Sequence, residues 1–247
     1  MSCYISGIGF VTSQLQGCGS DVNTLKKTSG KLPCLSRKDV LDNPYKPFGR
    51  MDMYSKIGFA AIYFAFKDAG LLNHDNISNT AIIASTYLGC IDTDKNFFNT
   101  MHYENGKNAS PALFAYTLPN TFLGEASIYL KTSGESFVIN SNDFDGIDAL
   151  KMSFDLLQPV NSLKSEDNGN PEFVLCGVCN TNTPDFLKNN ENLFAGSLFF
   201  AISKQKQKLC YGKITQDENG NLFFNGKNIM NLFNLANASL KNNKIKL

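Results

Sequence analysis

The sequence predicts an α/β protein in which helices layer on a mixed β-sheet. Two observations lead there. Apolar, β-branched runs alternate with stretches of helical periodicity from Cys3 to Asn180, and strand-like runs then follow one another up to Phe224. No internal repeat at solenoid periods competes with this reading. At 247 residues and 43% hydrophobic content, the chain can bury a sizeable core, and a single domain over residues 1–247 is expected.

Taken in order, Cys3 to Thr12 (CYISGIGFVT) is the first buried strand. Gln14 to Pro47 is polar and carries Pro33, Pro44 and Pro47, which predicts loop with one short helix around Asp21 to Lys27. From Met53 to Leu71, Ile57, Ala60, Ala61, Phe64, Ala65 and Phe66 recur at helical spacing, and Gly70 marks the stop. Asn79 to Ser85 is a second central strand and Asp94 to Met101 a helix. Ser110 to Leu130 holds short helical pieces around Pro119, the last running from Thr121 to just before Ser133-Gly134.

Phe137-Val138-Ile139 is a short β-type run, followed by the small polar residues Asn140 to Asp143 and a helix from Gly146 to Gln158. An exposed loop (Asn161 to Asn170) leads to a strand from Glu172 to Asn180. Leu193 to Ser203 and Leu209 to Gln216 form a strand pair across the basic turn Lys204 to Lys208. Asp217 to Asn221 is a hairpin-type turn into Leu222 to Phe224. Lys227 to Leu240 is predicted as the last amphipathic helix, with a frayed NNKIKL tail.

Composition excludes several function classes. Twenty-three Lys and Arg against 22 Asp and Glu give a net charge of +1, so no broad field favours nucleic acid or an anionic membrane. No apolar run approaches the roughly 20 residues of a membrane span. The start MSCYISGIGFVTS lacks the basic end of a signal peptide, so a cytoplasmic protein is expected. Seven cysteines at irregular spacing suit a reducing compartment better than a disulfide framework. The one CxxC pair, Cys176 and Cys179, lies in a strand-like run, where a spacing of three sends the side chains to opposite faces; buried thiols are expected rather than a metal or redox site.

Little else carries chemistry. Gly7-Ile8-Gly9 after the first strand lacks the third glycine of a dinucleotide fingerprint, with Thr12 in its place, and no phosphate-binding loop is present. His74 and His102 sit in polar contexts typical of solvated histidines, and no carboxylate set has metal spacing, so no cofactor or metal is expected. One stretch has specific geometry. Gly134 to Leu157 reads as strand, tight polar turn and helix, the layout of a nucleophile elbow, in which the apex side chain meets a helix N-terminus that favours an anion.

In the order of these segments the chain resembles the β-ketoacyl synthases, thiolase-fold condensing enzymes of fatty acid and polyketide synthesis. CYISGIGFVT resembles their opening strand, and GRMDMYSKIGFAAIYFAFKDAGL their long early helix. NTAIIAS resembles their second strand, SPALFAYTLPNTFLGEASIYLKTSGESFVIN the region before the elbow, and LFAGSLFFAISKQKQKLCYGKI the strand pair closing the first half. The resemblance implies a thiolase-like half-fold, layered α-β-α around a mixed five-stranded sheet. It places the nucleophilic cysteine at Asp143, with Asn142 as the preceding small residue and Gly146 as the matching glycine. The family's two active-site histidines belong to its second half, so neither is expected to have a counterpart here.

A carboxylate is a weak nucleophile toward thioesters and repels developing negative charge, so no catalytic residue is assigned. Asp143 is expected to cap the helix instead, in competition with Ser141, Asn142 and Asp145, at about 1 kcal/mol. By resemblance, the implied role is a non-catalytic, chain-length-factor-like partner of an active ketosynthase, in polyketide or fatty acid-type synthesis such as that of aryl polyenes. A homodimer and an acyl carrier protein are the other implied partners. The interface would form on the strand carrying Phe137, Val138 and Ile139, beside Phe114, Tyr116, Pro119, Asn120 and Phe122, with Phe114, Tyr116 and Phe122 exposed. The same aromatics could instead fill the chain's own core. The alternatives are a weak acyl-thioester hydrolase or decarboxylase using Asp143, with Asn142 or Asn140, and an acyl-carrier-binding module without a ketosynthase partner.

Overall fold

The computed structural model describes residues 2–28, 30–74, 77–102, 106–142, 146–158, 169–182, 194–242 and 245–246. β1 (Ser2–Val11) and β2 (Gln16–Cys18) open the chain, and α1 (Met53–Asp68) follows a long irregular segment. Then come β3 (Ala81–Thr86), α2 (Ile91–His102), α3 (Pro111–Phe114), α4 (Thr121–Leu130), β4 (Ser136–Asn140), α5 (Ile147–Leu157) and β5 (Phe173–Asn180). β6 (Gly196–Ser203), β7 (Leu209–Cys210), β8 (Gly212–Gln216), β9 (Leu222–Phe224), β10 (Lys227–Asn228), α6 (Leu232–Lys241) and β11 (Ile245–Lys246) complete it.

The expected mixed five-stranded sheet is present, in the order β1-β6-β5-β3-β4, as part of a larger one. β3 runs parallel to both β4 and β5, while β6 is antiparallel to β5 and β1. β8, β9 and β10 extend the sheet beyond β1, and β2 also pairs with β1, giving nine strands. β4 ends the other side. Each face carries its own apolar cluster. Val11, Tyr54, Phe59, Phe122 and Phe199 pack on the side of α1 and α4, and Ile8, Phe154, Phe200, Leu232 and Leu235 on the side of α5 and α6. The architecture is therefore the expected α-β-α sandwich. Cys179 belongs to the first cluster and Cys176 to the second, so the CxxC thiols do point to opposite faces and are both buried.

α1 is buried on almost every side, because it lies between the sheet and α4. Small residues let it settle close to β1. A Cβ added at Gly9 would stand 2.2 Å from the Ala61 carbonyl oxygen, and one at Gly7 2.2 Å from that of Ala65. Gly7 and Gly9 thus serve helix–sheet contact, which accounts for the incomplete dinucleotide fingerprint. Asp52 caps the helix by accepting the Ser55 N–H at 2.8 Å.

Three local expectations are corrected. The segment expected as a helix around Asp21 to Lys27 has only a 3-10 turn at Gly19–Asp21. Lys227 does not begin a helix: Asn225 (φ 48°) and Gly226 (φ 81°) make a tight left-handed turn between β9 and β10, and α6 starts only after the Asn231 cap. The C-terminal Ile245 and Lys246, expected to fray, pair with β7. Leu193 and residues 161–168 of the expected loop lie outside the described residues.

Candidate functional site

The elbow is built where β3, β4 and β5 end side by side. β3 and β4 pair in register from Ile82 opposite Ser136 to Thr86 opposite Asn140, and the Ser141 N–H adds one more bond to the Thr86 carbonyl at 2.8 Å. Asn180 at the end of β5 accepts the Tyr87 N–H at 2.9 Å and the Thr86 hydroxyl at 3.3 Å, tying the turn after β3 to its neighbour. Beyond Asn142 the chain re-enters the described residues at Gly146, which caps α5 with φ 72° and ψ 7°. That left-handed backbone suits glycine, and a Cβ there would lie 2.7 Å from the Val178 side chain.

Asp143 and Asp145 lie outside the described residues. Of the other expected capping residues, Ser141 turns its hydroxyl to the Asp148 carboxylate in the first turn of α5 at 2.5 Å, and Asn142 is exposed. One donor of this helix end is taken by a residue from another strand: buried Ser85 on β3 accepts the Ala149 N–H at 3.0 Å. Sequence spacing could not find Ser85, since it lies 64 residues away and meets α5 only through the parallel β3–β4 pairing.

Four of the cysteines are held as thiols. Burial, then the Asp94 and Asp52 carboxylates, push Cys90 up to about 12, and its Sγ donates to Asp94 at 3.7 Å. Burial also pushes Cys176 up to about 12 and raises Cys179 and Cys3. His74 sits edge-on to Phe173 at the N-terminal end of β5, opposite the end that meets the elbow, and His102 stacks on Phe98 of its own helix. Neither is brought to the elbow.

The residues expected at an interface separate into two groups. β4 is the sheet's edge, with Phe137, Val138 and Ile139 half-buried between Ser136 and Asn140, both exposed. Val138 packs toward the α1 side, Phe137 and Ile139 toward the α5 side. Phe114 is 62% exposed, and Asn120 is exposed with Pro119 half-buried. Phe122 and Tyr116, expected exposed, are instead buried. Phe122 fills the space left by Gly58 on α1 and meets the Tyr54 ring edge-on at 5.3 Å. Tyr116 donates its hydroxyl to Glu125 at 3.2 Å, as Tyr45 does to the other carboxylate oxygen at 3.2 Å.

A separate cavity of about 430 Å³ lies between the first turns of α1 and α2 and the residues after β5, lined in part by Asp52, Asp92, Thr93 and Thr181. Its carboxylates serve the fold. Asp52 takes the Ser55 N–H and the Thr93 hydroxyl, and Asp92 takes the Thr181 hydroxyl at 2.9 Å. Among the described residues, no group of three or more His, Cys, Asp or Glu could hold a metal ion, and no helix is long and apolar enough to cross a membrane.

No protein-family model and no curated protein matches the chain. Solved structures do. A structure of a type II polyketide synthase acyl-carrier protein in complex with its ketosynthase (AntDE:AntF) matches at TM-score 0.65 and 15% identity, over 87% of this chain and 67% of that one. The ishigamide ketosynthase/chain length factor matches at TM-score 0.61 and 11% identity, over 86% and 66%. The ketosynthase ApeO in complex with its chain length factor ApeC, from Xenorhabdus doucetiae, matches at 0.55 and 14%, over 85% and 81%. The chain thus spans about two thirds of the length of the first two. The protein has the thiolase-like fold of the ketosynthases and chain length factors.

Proposed function

We propose that the chain is a ketosynthase-like subunit of the chain-length-factor type, acting beside an active ketosynthase in polyketide or fatty acid-type synthesis and carrying out no condensation itself. Aryl polyene synthesis is the pathway class proposed. The observation that carries this reading is the elbow. Its strand and helix are retained, yet the position that the family gives to cysteine is Asp143 in this sequence. Condensation needs a thiolate to accept the acyl group. The raised thiols of Cys90 and Cys176 offer no substitute nearby. Similarity to structures described as ketosynthase–chain length factor and ketosynthase–carrier protein complexes supports the choice of partners.

β4 supplies the docking surface in this reading. An edge strand offers a row of unpaired backbone groups, and its half-buried apolar residues gain from being covered. A ketosynthase would add its own strand there, and in its absence a second copy of this chain would do so.

Two measurements test the proposal. The protein incubated with acyl and malonyl thioesters is expected to give no turnover that depends on Asp143. Reproducible hydrolysis or decarboxylation, lost in Asp143→Ala, would establish the carboxylate-enzyme alternative instead. Co-expression with a full-length ketosynthase and an acyl carrier protein is expected to yield a co-purifying pair with the ketosynthase; capture of the carrier protein alone would favour a carrier-binding module.

A further inference from the structure

We propose that α2, with α3 packed against it, is a hinged lid on the cavity at the first turns of α1 and α2, held shut by two hydroxyl–carboxylate latches. The two long helices beside that cavity are attached to the fold in different ways. Nearly every residue of α1 is buried, whereas Thr93 alone is buried among the twelve residues of α2. A helix that buries so little apolar surface gains little from staying in place, and elements of this kind open at lower cost than the core. What ties α2 down is polar and sits in its first turn. The Thr93 hydroxyl donates to the Asp52 carboxylate, and the Thr181 hydroxyl donates to Asp92 at 2.9 Å. Hydrogen bonds to a charged acceptor are the strong ones, so two of them can hold what burial does not.

α2 packs instead on α3. The Phe97 and Phe114 rings lie 5.3 Å apart, and the Thr100 hydroxyl accepts the Ser110 N–H at 3.1 Å, so the two helices move together. Fixed points bound the pair on both sides. Gly89, just before α2, has a left-handed backbone (φ 55°), and its N–H is bonded to the Thr86 hydroxyl at 2.8 Å. Tyr116, just after α3, is buried and bonded to Glu125. Between these anchors the lid carries Asp92, Asn96 and Leu113 as its wall of the cavity, while Met53, Tyr54 and Asn182 form part of the wall that stays behind. Opening thus widens the cavity of about 430 Å³ without unmaking the sheet.

Native-state hydrogen exchange reads the lid directly. In the unmodified protein, the amides of Lys95 to His102 are expected to share one opening with little dependence on added urea, while those of Ile57 to Phe66 in α1 exchange only as urea unfolds the whole chain. Thr93→Val and Thr181→Val each remove one latch hydroxyl and leave the Asp52 cap on Ser55 in place. Each is expected to speed exchange in α2 about tenfold, and the pair by more than either, with the centre of α1 unchanged. Equal urea dependence in α2 and α1 would make α2 part of the global core and overturn the inference. Exchange in α2 unmoved by both substitutions would overturn it too, as would protection that falls off residue by residue along α2, the mark of a fraying helix. The urea series uses the unmodified protein, so it decides the matter even where a variant does not fold. None of these outcomes depends on the role proposed for Asp143 or on a ketosynthase partner.

Discussion

Asp68 shows how one side chain can complete a sheet. β8 pairs with β1 only as far as Ile5 and β2 takes over at Gly9, which leaves the Ile8 N–H between two partners. Asp68, at the end of α1, fills that gap: it accepts the Ile8 N–H at 2.8 Å, the Tyr211 hydroxyl at 2.8 Å and the Ser20 N–H at 3.3 Å. Hydrogen bonds to a charged acceptor are worth about 1.5–3 kcal/mol each, and a buried donor left unmade costs more than the bond itself returns. Asp68→Ala is therefore expected to lower unfolding stability by about 3 kcal/mol or more, and Tyr211→Phe by about 1.5 kcal/mol, read from urea midpoints. Equal small losses in both variants would mean that water replaces the clamp. A second residue-scale prediction concerns Glu125. Burial first, and then the Glu125 carboxylate, push Tyr45 and Tyr116 up to about 12. Both phenols keep their protons in the fold at pH values where the unfolded chain, near 10, has lost them. Their contribution to stability is thus complete below pH 10 and disappears as pH rises toward 12. Phenolate absorbance near 295 nm should show Tyr45 and Tyr116 titrating late, along with Tyr54, Tyr63, Tyr129 and Tyr211, which burial also raises, and Glu125→Gln should bring the first two down; an unchanged titration curve would remove Glu125 as a cause.

At the scale of elements, the approach of α1 to β1 and α4 organises half of the core. Gly9→Ala would place a methyl against the Ala61 carbonyl and the Ala65 amide, both 2.2 Å from the added Cβ, and backbone cannot move aside as a flexible side chain can. Overpacking of this kind costs typically 1–3 kcal/mol, and this site belongs at or above the upper end. A lowered thermal midpoint with unchanged secondary structure is the expected result, and an unshifted midpoint would show that α1 slides at no cost. The same docking explains what could be read in the sequence. β1, β3, β5 and β6 announce themselves as unbroken apolar runs because helices cover both faces of the sheet. Phe122 could not be placed from α4 alone, since its burial depends on Gly58 of a different helix. The Asn225-Gly226 pair carries a hairpin signal, but the helical spacing of Leu232, Leu235, Ala236 and Leu240 extended the expected helix backward to Lys227, over residues that form β10. The elbow's outline followed from local pattern, whereas the bond from its helix end to Ser85 depended on strand pairing across the fold.

For the whole molecule, the consequence lies at β4, which among the described residues is the end strand of a nine-stranded sheet. Two copies joined by antiparallel pairing of this strand, centred on Val138, would set Phe137 opposite Ile139 and Ser136 opposite Asn140. Such pairing brings no like charges together, and it aligns apolar and β-branched residues that favour cross-strand contact. Because Ser136 and Asn140 are exposed, both can be charged without disturbing the core. Ser136→Lys with Asn140→Lys would place lysine opposite lysine twice across the two-fold axis, which destabilises a strand pair. Ser136→Lys with Asn140→Glu would instead place opposite charges across the same axis. Sedimentation analysis is expected to show a dimer for the unmodified protein, a monomer for the double lysine variant and a restored dimer for the Lys/Glu variant, with unchanged circular dichroism throughout. A double lysine variant that dimerises as tightly as the parent would remove β4 as the interface. An unmodified monomer that still co-purifies with a ketosynthase, and loses it on the double lysine change, would assign the edge to the heterologous partner.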